Sequence, residues 1–260
     1  MNKTTPLLLP ALSLCRRELV RFYRQKSRIV GVIGSPLVFW FLIGSGLGTS
    51  FRQSNSASQM NYLEYFYPGT IVLTILFTAI FSTISIIEDR REGFLQSVLV
   101  APVSNGSIAL GKILGGTALS VAQCIILLAL APIIGISFSF MSFVGILFVL
   151  IVISFGLTGL GFLIAWRMES SQGFHAIMNL FLIPLWLLSG ALFPATGAAG
   201  WIGVIMRMNP LSYGVTALRE LLYINATLPA PELAPLLPSI LVATAFAAGA
   251  YALSAYAMKR

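Results

Sequence analysis

The chain has 260 residues, of which 57% are hydrophobic and only 9% charged, with a mean hydropathy of +0.91 and a formal net charge of +8. That is too apolar for an ordinary water-soluble domain. The basic residues flank long uncharged stretches and do not gather on one polar surface, so a nucleic-acid partner is also excluded.

The first element in chain order is 11–28. In ALSLCRRELVRFYRQKSR, Leu12, Cys15, Leu19 and Phe22 or Tyr23 share one helical face, while Arg16, Arg17, Arg21 and Arg24 lie largely elsewhere. The pattern predicts an amphipathic helix on a membrane surface, its basic side toward lipid headgroups. The overlapping TPLLLPALSLC resembles a lipoprotein signal. Leu14 stands where processing needs a small residue, and Pro6 and Pro10 break the apolar run, so it is read as uncleaved.

No Asp, Glu, Lys or Arg occurs in 29–51, 65–87, 113–166, 170–206 or 233–258. A helix needs about 20 apolar residues to cross a hydrocarbon core of about 30 Å. Three gaps of 23, 23 and 26 residues fit one crossing each, and the 54-residue gap fits two, divided near Pro132–Ser142. The 37-residue gap starts with one crossing and continues past Pro194 into a glycine-rich segment. The predicted spans are about 29–49, 68–87, 108–131, 143–166, 175–193 and 239–258, within one membrane domain over 1–260. Six crossings put both termini on one side. Thirteen Lys and Arg residues then share that side, against Arg52, Arg207 and Arg219 on the other, which makes the richer side cytoplasmic.

Between the second and third spans lies the segment 88–107, which opens on five consecutive charges, Glu88, Asp89, Arg90, Arg91 and Glu92. Glu88 and Arg91 are spaced for an ion pair on a helix. Gly93 permits a bend. Phe94, Leu95, Val98 and Leu99 then form one apolar face of a helix of about two turns, and Pro102 disfavours helix at Ala101. Two readings stay open: a connector that shields its leucines against lipid, and a rigid knob that docks into a cytoplasmic partner. The amphipathic N-terminal helix lies on the same surface and could brace the knob.

Other motifs carry no chemistry. GSIALGKI (106–113) nearly spells a phosphate-binding loop, but Ile113 replaces the magnesium-holding hydroxyl and the stretch enters a span. Cys15 and Cys124 suit no structural disulfide, His175 has no ligand partner at metal spacing and is read as capping a helix, and Asn225-Ala-Thr is a formal glycosylation sequon. Apart from Lys112 and His175 near predicted ends, the spans lack carboxylates, lysines and histidines, which argues against a proton or ion relay. No nucleophile, base or metal cluster appears, so the chain is not read as an enzyme and is expected to need no cofactor of its own.

Three stretches resemble the type-2 ABC exporter permeases: YPGTIVLTILFTAIF (67–81), IIEDRREGFLQSVLVAPVSNGSIALGKILG (86–115), and LSGALFP (188–194) with NPLSYGVTALRELL (209–222). Together with the six spans and the amphipathic N-terminus, the similarity covers nearly the whole chain. The resemblance implies an all-α polytopic membrane protein of six spans with an N-terminal interfacial helix. It implies a cytoplasmic coupling helix over 94–101, with Arg90, Arg91, Glu92, Gly93, Leu95, Leu99, Ala101 and Pro102 on its motif, seated on a separate ATP-binding subunit that holds ATP and magnesium. It also implies two permease copies with two ATPases in a bacterial inner membrane, and short re-entrant helices over 195–223 carrying Asn209, Pro210, Tyr213 and Arg219. A path between the copies would take Phe39, Trp40, Phe41, Phe181 and Trp186 as candidate lining. Gln96 and Asn105 stand where relatives are often charged. The cargo would be an amphipathic drug, a lipid or a lipid-linked glycan. An ion-coupled secondary transporter and a non-transporting scaffold are the alternatives.

Overall fold

The computed structural model describes residues 8–54, 61–195, 198–224 and 233–258. The sequon at Asn225 and the terminal basic residues Lys3, Lys259 and Arg260 lie outside the described residues. The helices are α1 (Leu8–Arg24), α2 (Lys26–Ser54), α3 (Tyr62–Arg91), α4 (Phe94–Val100), α5 (Asn105–Leu128), α6 (Phe140–Arg167), α7 (Ser171–Trp186), α8 (Gly200–Met208), α9 (Pro210–Leu222) and α10 (Leu236–Ala257). A 3-10 turn, Ala131–Ile134, follows α5, and a wide turn, Leu187–Ala191, extends α7. Among the described residues there is no strand. Six segments are long and apolar enough to cross a membrane: Ile29–Gly46, Tyr62–Arg91, Asn105–Leu128, Phe140–Arg167, Ser171–Ala191 and Leu236–Ala257.

Helix α3 is the hub. Every residue from Tyr65 to Leu76 is buried, and the helix packs against α2, α5, α6, α7 and α9. That explains a sequence hydrophobic on all sides, which suits a helix enclosed by protein. It begins at Tyr62, six residues before the predicted span, so Pro68 lies inside it and does not open it. A proline there leaves the carbonyl of residue 64 without its usual backbone donor. The Tyr223 hydroxyl donates to the Glu64 carbonyl at 2.6 Å, which relieves that defect and joins α9's end to α3.

Close packing elsewhere rests on small residues, as in membrane helix pairs. The inward stripe of α10 is Ser239, Ala243, Ala247, Ala250, Ser254 and Ala257, and it lies mainly on α6, where Ser254 Oγ donates to the Gly159 carbonyl at 3.0 Å. Helix α1 lies on α5. A Cβ at Gly111 would come within 2.7 Å of the Ala11 carbonyl oxygen, and one at Gly115 within 2.7 Å of Glu18 Cβ. The glycines of the apparent phosphate loop thus include one that seats a neighbouring helix.

That contact revises the expected anatomy of α1. Its bundle-facing residues are Ala11, Leu14, Glu18 and Phe22, while Leu12 and Tyr23 are exposed. Two faces were expected, one apolar and one basic. The helix has three, because a line through Glu18 turns inward to meet the bundle.

Candidate functional site

The charged run at the end of α3 is shared between two neighbours. Asp89, fully buried, accepts from Arg17 Nη1 at 2.9 Å and Nη2 at 2.6 Å, and from Arg21 Nη1 at 2.6 Å. Arg21 Nη2 reaches Glu88 at 2.9 Å and Glu92 at 3.4 Å. From α5, the buried Lys112 donates to Glu18 at 2.6 Å and to Ser85 Oγ at 3.2 Å, and pairs directly with Asp89. Arg17 also contacts Glu18 at 3.1 Å. Three cations, Arg17, Arg21 and Lys112, and four carboxylates, Glu18, Glu88, Asp89 and Glu92, from α1, α5 and the end of α3 therefore close one knot. Each compensates the desolvation of the others, and removing one partner of a buried pair typically costs about 3–5 kcal/mol.

The two arginines of the run turn the other way. Arg90 donates to the Met168 carbonyl at 3.0 Å and the Trp166 carbonyl at 2.6 Å, with its guanidinium 5.3 Å from the Trp166 ring. Arg91 donates to the Glu169 carbonyl through Nε at 3.2 Å and Nη2 at 2.9 Å. Both cations thus serve the carbonyl end of α6, where positive charge also complements the helix dipole. The expected Glu88–Arg91 pair along α3 is replaced by these tertiary contacts, which satisfy otherwise unpaired carbonyls.

Beyond the knot the chain turns at Gly93, whose φ of +78° is open to glycine and strained for other residues. Helix α4 follows, seven residues long, and ends at Ala101 in extended conformation before Pro102. Ser104 then caps α5 by accepting from the Ser107 amide at 3.1 Å. The expected single apolar face of α4 is divided. Leu95 is buried and Phe94 and Val98 are partly buried against the bundle, whereas Leu99 is 45% exposed and Val100 87%. Helical spacing puts Leu99 about a quarter turn from the centre of the other three. Gln96, Ser97 and Pro102 are exposed with it. Phe94 is fixed from above by Arg17, whose guanidinium lies 3.6 Å from the ring centroid. Asn105 Nδ2 donates to the Met258 carbonyl at 2.9 Å, so this residue anchors the end of α10.

Outside the spans, burial opposes the Arg17 charge, but Asp89 and Glu18 outweigh it and hold the guanidinium above its ordinary value. Burial, with Glu18 second, pushes the Cys15 thiol up, away from a reactive thiolate. Cys15 and Cys124 are both free thiols. His175 packs edge-on against Phe81 at 5.5 Å, and the cap of α7 is Ser170, which accepts from the Gly173 amide at 3.3 Å. Ser170 has the short oxygen side chain that capping needs, and the expectation for His175 is corrected accordingly.

At the far end, LSGALFP and NPLSYGVTALRELL form one structural unit. Leu188 and Gly190 leave helical geometry, Gly190 at φ +78°, which exposes carbonyls in an apolar interior. Such groups must find partners within the protein. Asn209 Nδ2 donates to Leu185 at 2.6 Å and Leu188 at 3.0 Å, and Arg219 Nη2 donates to Gly190 at 2.7 Å. The hydroxyls of Tyr65 and Tyr62 reach Gly190 and Leu192, each at 2.9 Å. Asn209 also caps α9 through the Leu211 amide at 3.0 Å, with Pro210 in the first turn. Tyr213 donates to the Arg207 carbonyl at 2.8 Å. Arg219 lies 4.2 Å from the Tyr65 ring, so one cation holds both a carbonyl and an aromatic face.

Of the candidate path residues, Phe39, Phe41 and Phe181 are exposed. Trp186 is 4% exposed, donates to the Gly69 carbonyl at 2.8 Å and packs beside Phe66. It is part of the core, and its assignment to the path is corrected. Trp40 is half-buried, donates to the Leu63 carbonyl at 3.1 Å and meets Tyr67 edge-on. The knot itself was not foreseen. Its signal was Lys112, the one lysine or arginine between Arg91 and Arg167, set a full turn inside a span.

A bundle with six membrane-crossing candidates, a buried ionic knot beside a short presented helix and a laced, broken helix at the other end defines a multi-pass helical membrane protein. A family profile described as the ABC-2 type transporter matches residues 11–223, and the chain belongs to that family. It is 30% identical over 211 residues to a chain named as a transport permease, ycf38, of Cyanophora paradoxa, covering 80% of this chain and 72% of the other. It is 24% identical over 217 residues to the daunorubicin resistance ABC transporter permease protein DrrB1 of Streptomyces coeruleorubidus, again 80% and 72%. Nodulation protein J of Rhizobium meliloti (strain 1021) is 25% identical over 211 residues, covering 75% of this chain and 74% of that protein. The chain is a membrane permease subunit of an ABC transporter.

Proposed function

We propose that the chain is half of the translocation unit of an ATP-driven exporter. Two copies enclose the path in a bacterial inner membrane, both termini are cytoplasmic, and a separate ATP-binding subunit, which carries ATP and magnesium, sits on α4 of each copy. The observation that carries this reading is the construction of α4. Its root is pinned by the knot and by Gly93, its inner face is packed, and its outer face offers Leu99, Val100 and Gln96. A helix held so firmly on one side transmits displacement as a unit. Docking would bury the two aliphatic side chains, each giving about 1.5–3 kcal/mol when fully removed from water. The orientation rests on the thirteen basic residues of the α1 and α4 side.

The mechanism is a population shift. ATP draws the two ATPases together, they move the two α4 helices, and the permease pair passes from an inward-open to an outward-open arrangement. The coupling equals the preference of the ATP-bound subunits for one permease state. Through the knot, motion of α4 is handed to α1 and α5; through Arg90 and Arg91 it is handed to α6. The exposed Phe39, Phe41 and Phe181 suit an uncharged path or the contact with a second copy. The cargo class is an amphipathic drug, a lipid or a lipid-linked glycan, and the resemblance to a permease named for daunorubicin resistance favours the first.

The test is co-purification with an ATP-binding protein encoded beside this chain, followed by ATP hydrolysis and transport in proteoliposomes. Leu99→Glu should leave abundance and folding unchanged and abolish transport-linked hydrolysis. Normal transport by that variant would overturn the docking role. Uphill transport by this chain alone on an ion gradient would replace the reading with a secondary transporter.

A further inference from the structure

The basic face of α1 borders an open groove of about 600 Å³, whose lining includes Arg16, Arg17, Arg21, Arg24 and Gln25, with Glu92 opposite. Arg17 and Arg21 are held by the acids of the knot. Arg16 and Arg24 are exposed and have no ion-pair or hydrogen-bond partner among the described residues. The groove therefore presents two uncommitted cations, and it would be matched by a ligand that carries an anion.

The location selects the source. Leu8, Leu9, Leu12 and Tyr23 are exposed on the same helix, more than half of each side chain uncovered. An amphipathic helix with such residues lies at the boundary between acyl chains and headgroups. The groove runs along the adjacent face of the same helix, so with α1 at that boundary it opens at headgroup depth. An acidic peptide would meet the two arginines equally well but would give the four apolar side chains no partner.

We propose that this groove binds the headgroup of an acidic glycerophospholipid, with the phosphate on Arg16 and Arg24. Guanidinium suits phosphate because it offers paired donors in a plane. The site needs no ATP-binding subunit and stands apart from the docking role of α4. It makes the seating of α1, and so of the knot beneath it, dependent on the lipid present.

The test uses the purified full chain in neutral detergent, with thermal unfolding followed as short-chain phosphatidylglycerol is titrated in. Phosphatidylglycerol should raise the unfolding temperature, less so at high salt, and phosphatidylcholine should not. R16Q/R24Q should weaken the apparent affinity on the order of thirtyfold, two surface charges at about one decade or less each. R16K/R24K should keep most of it. Both positions are exposed and uncommitted, so matching circular dichroism will show that loss of binding is not loss of fold. An equal shift with phosphatidylcholine, or an undiminished one in R16Q/R24Q, overturns the site. A full shift with glycerol phosphate alone makes it a free-anion site, and one with polyglutamate makes it a protein-docking surface; either result also overturns the proposal.

Discussion

The two ends of the bundle solve one problem by different means. At the α1 and α4 end, buried polar groups are side-chain charges, and Asp89 is satisfied only because three cations from two other helices converge on it. At the far end they are backbone carbonyls freed by a broken helix, and neutral amides and hydroxyls serve them together with the single cation Arg219. Charges depend steeply on their partners, so the first device can be pulled apart or reset by a neighbour. Carbonyls cannot change state, so the second acts as a fixed buckle. The docking role proposed for α4 puts it beside the first kind.

The contrast can be broken most severely at Asp89. Asp89→Ala should cost roughly 3–5 kcal/mol, since it leaves Arg17, Arg21 and Lys112 facing one another. Thermal unfolding of the purified chain measures it. Lys112→Met in the same chain should recover part of the loss, because it removes one of the stranded cations. Additive losses would show that the knot is not one unit.

Arg219→Ala should cost about 1.5–3 kcal/mol, the range for a hydrogen bond from a charged donor. Arg219→Lys should not rescue it, since an ammonium cannot both reach Gly190 and lie flat on Tyr65. Full recovery in the lysine variant, read by the same unfolding curve, would mean that charge alone matters there. Smaller again is Tyr65→Phe, expected at about 1 kcal/mol, because Gly190 keeps its second donor.

The smallest effect is read in thiol chemistry and not in unfolding. At neutral pH Cys15 should react with a soluble maleimide more slowly than an ordinary exposed thiol, because burial and Glu18 hold its pKa up. Glu18→Gln should speed the reaction modestly, and Asp89→Ala more, by loosening α1. The buried Cys124 should stay silent in each. Equal rates in all three chains would place Cys15 outside the influence of the knot.

Residue types and their spacing were enough for the six crossings, the charged segment, the turn at Gly93 and the stop before Pro102, because each follows from a local rule about hydrocarbon thickness or backbone sterics. The C-terminal signature, Arg219 included, was legible as a pattern. Which carbonyl Arg219 takes, and that Tyr62 and Tyr65 share the task, follows from the kink at Gly190 and its contact with α3.

Sequence by itself determined where this chain is apolar, where it is charged and where its helices must end, since those depend on neighbours one or two turns away. Only the tertiary structure decided who partners whom. Asp89 is 72 residues from Arg17 and 23 from Lys112, and nothing local distinguishes that pairing from Glu88 with Arg91. The choice was made by the packing of α1 on α5, which brings Glu18 inward beside Lys112 and leaves the buried charges no water to turn to.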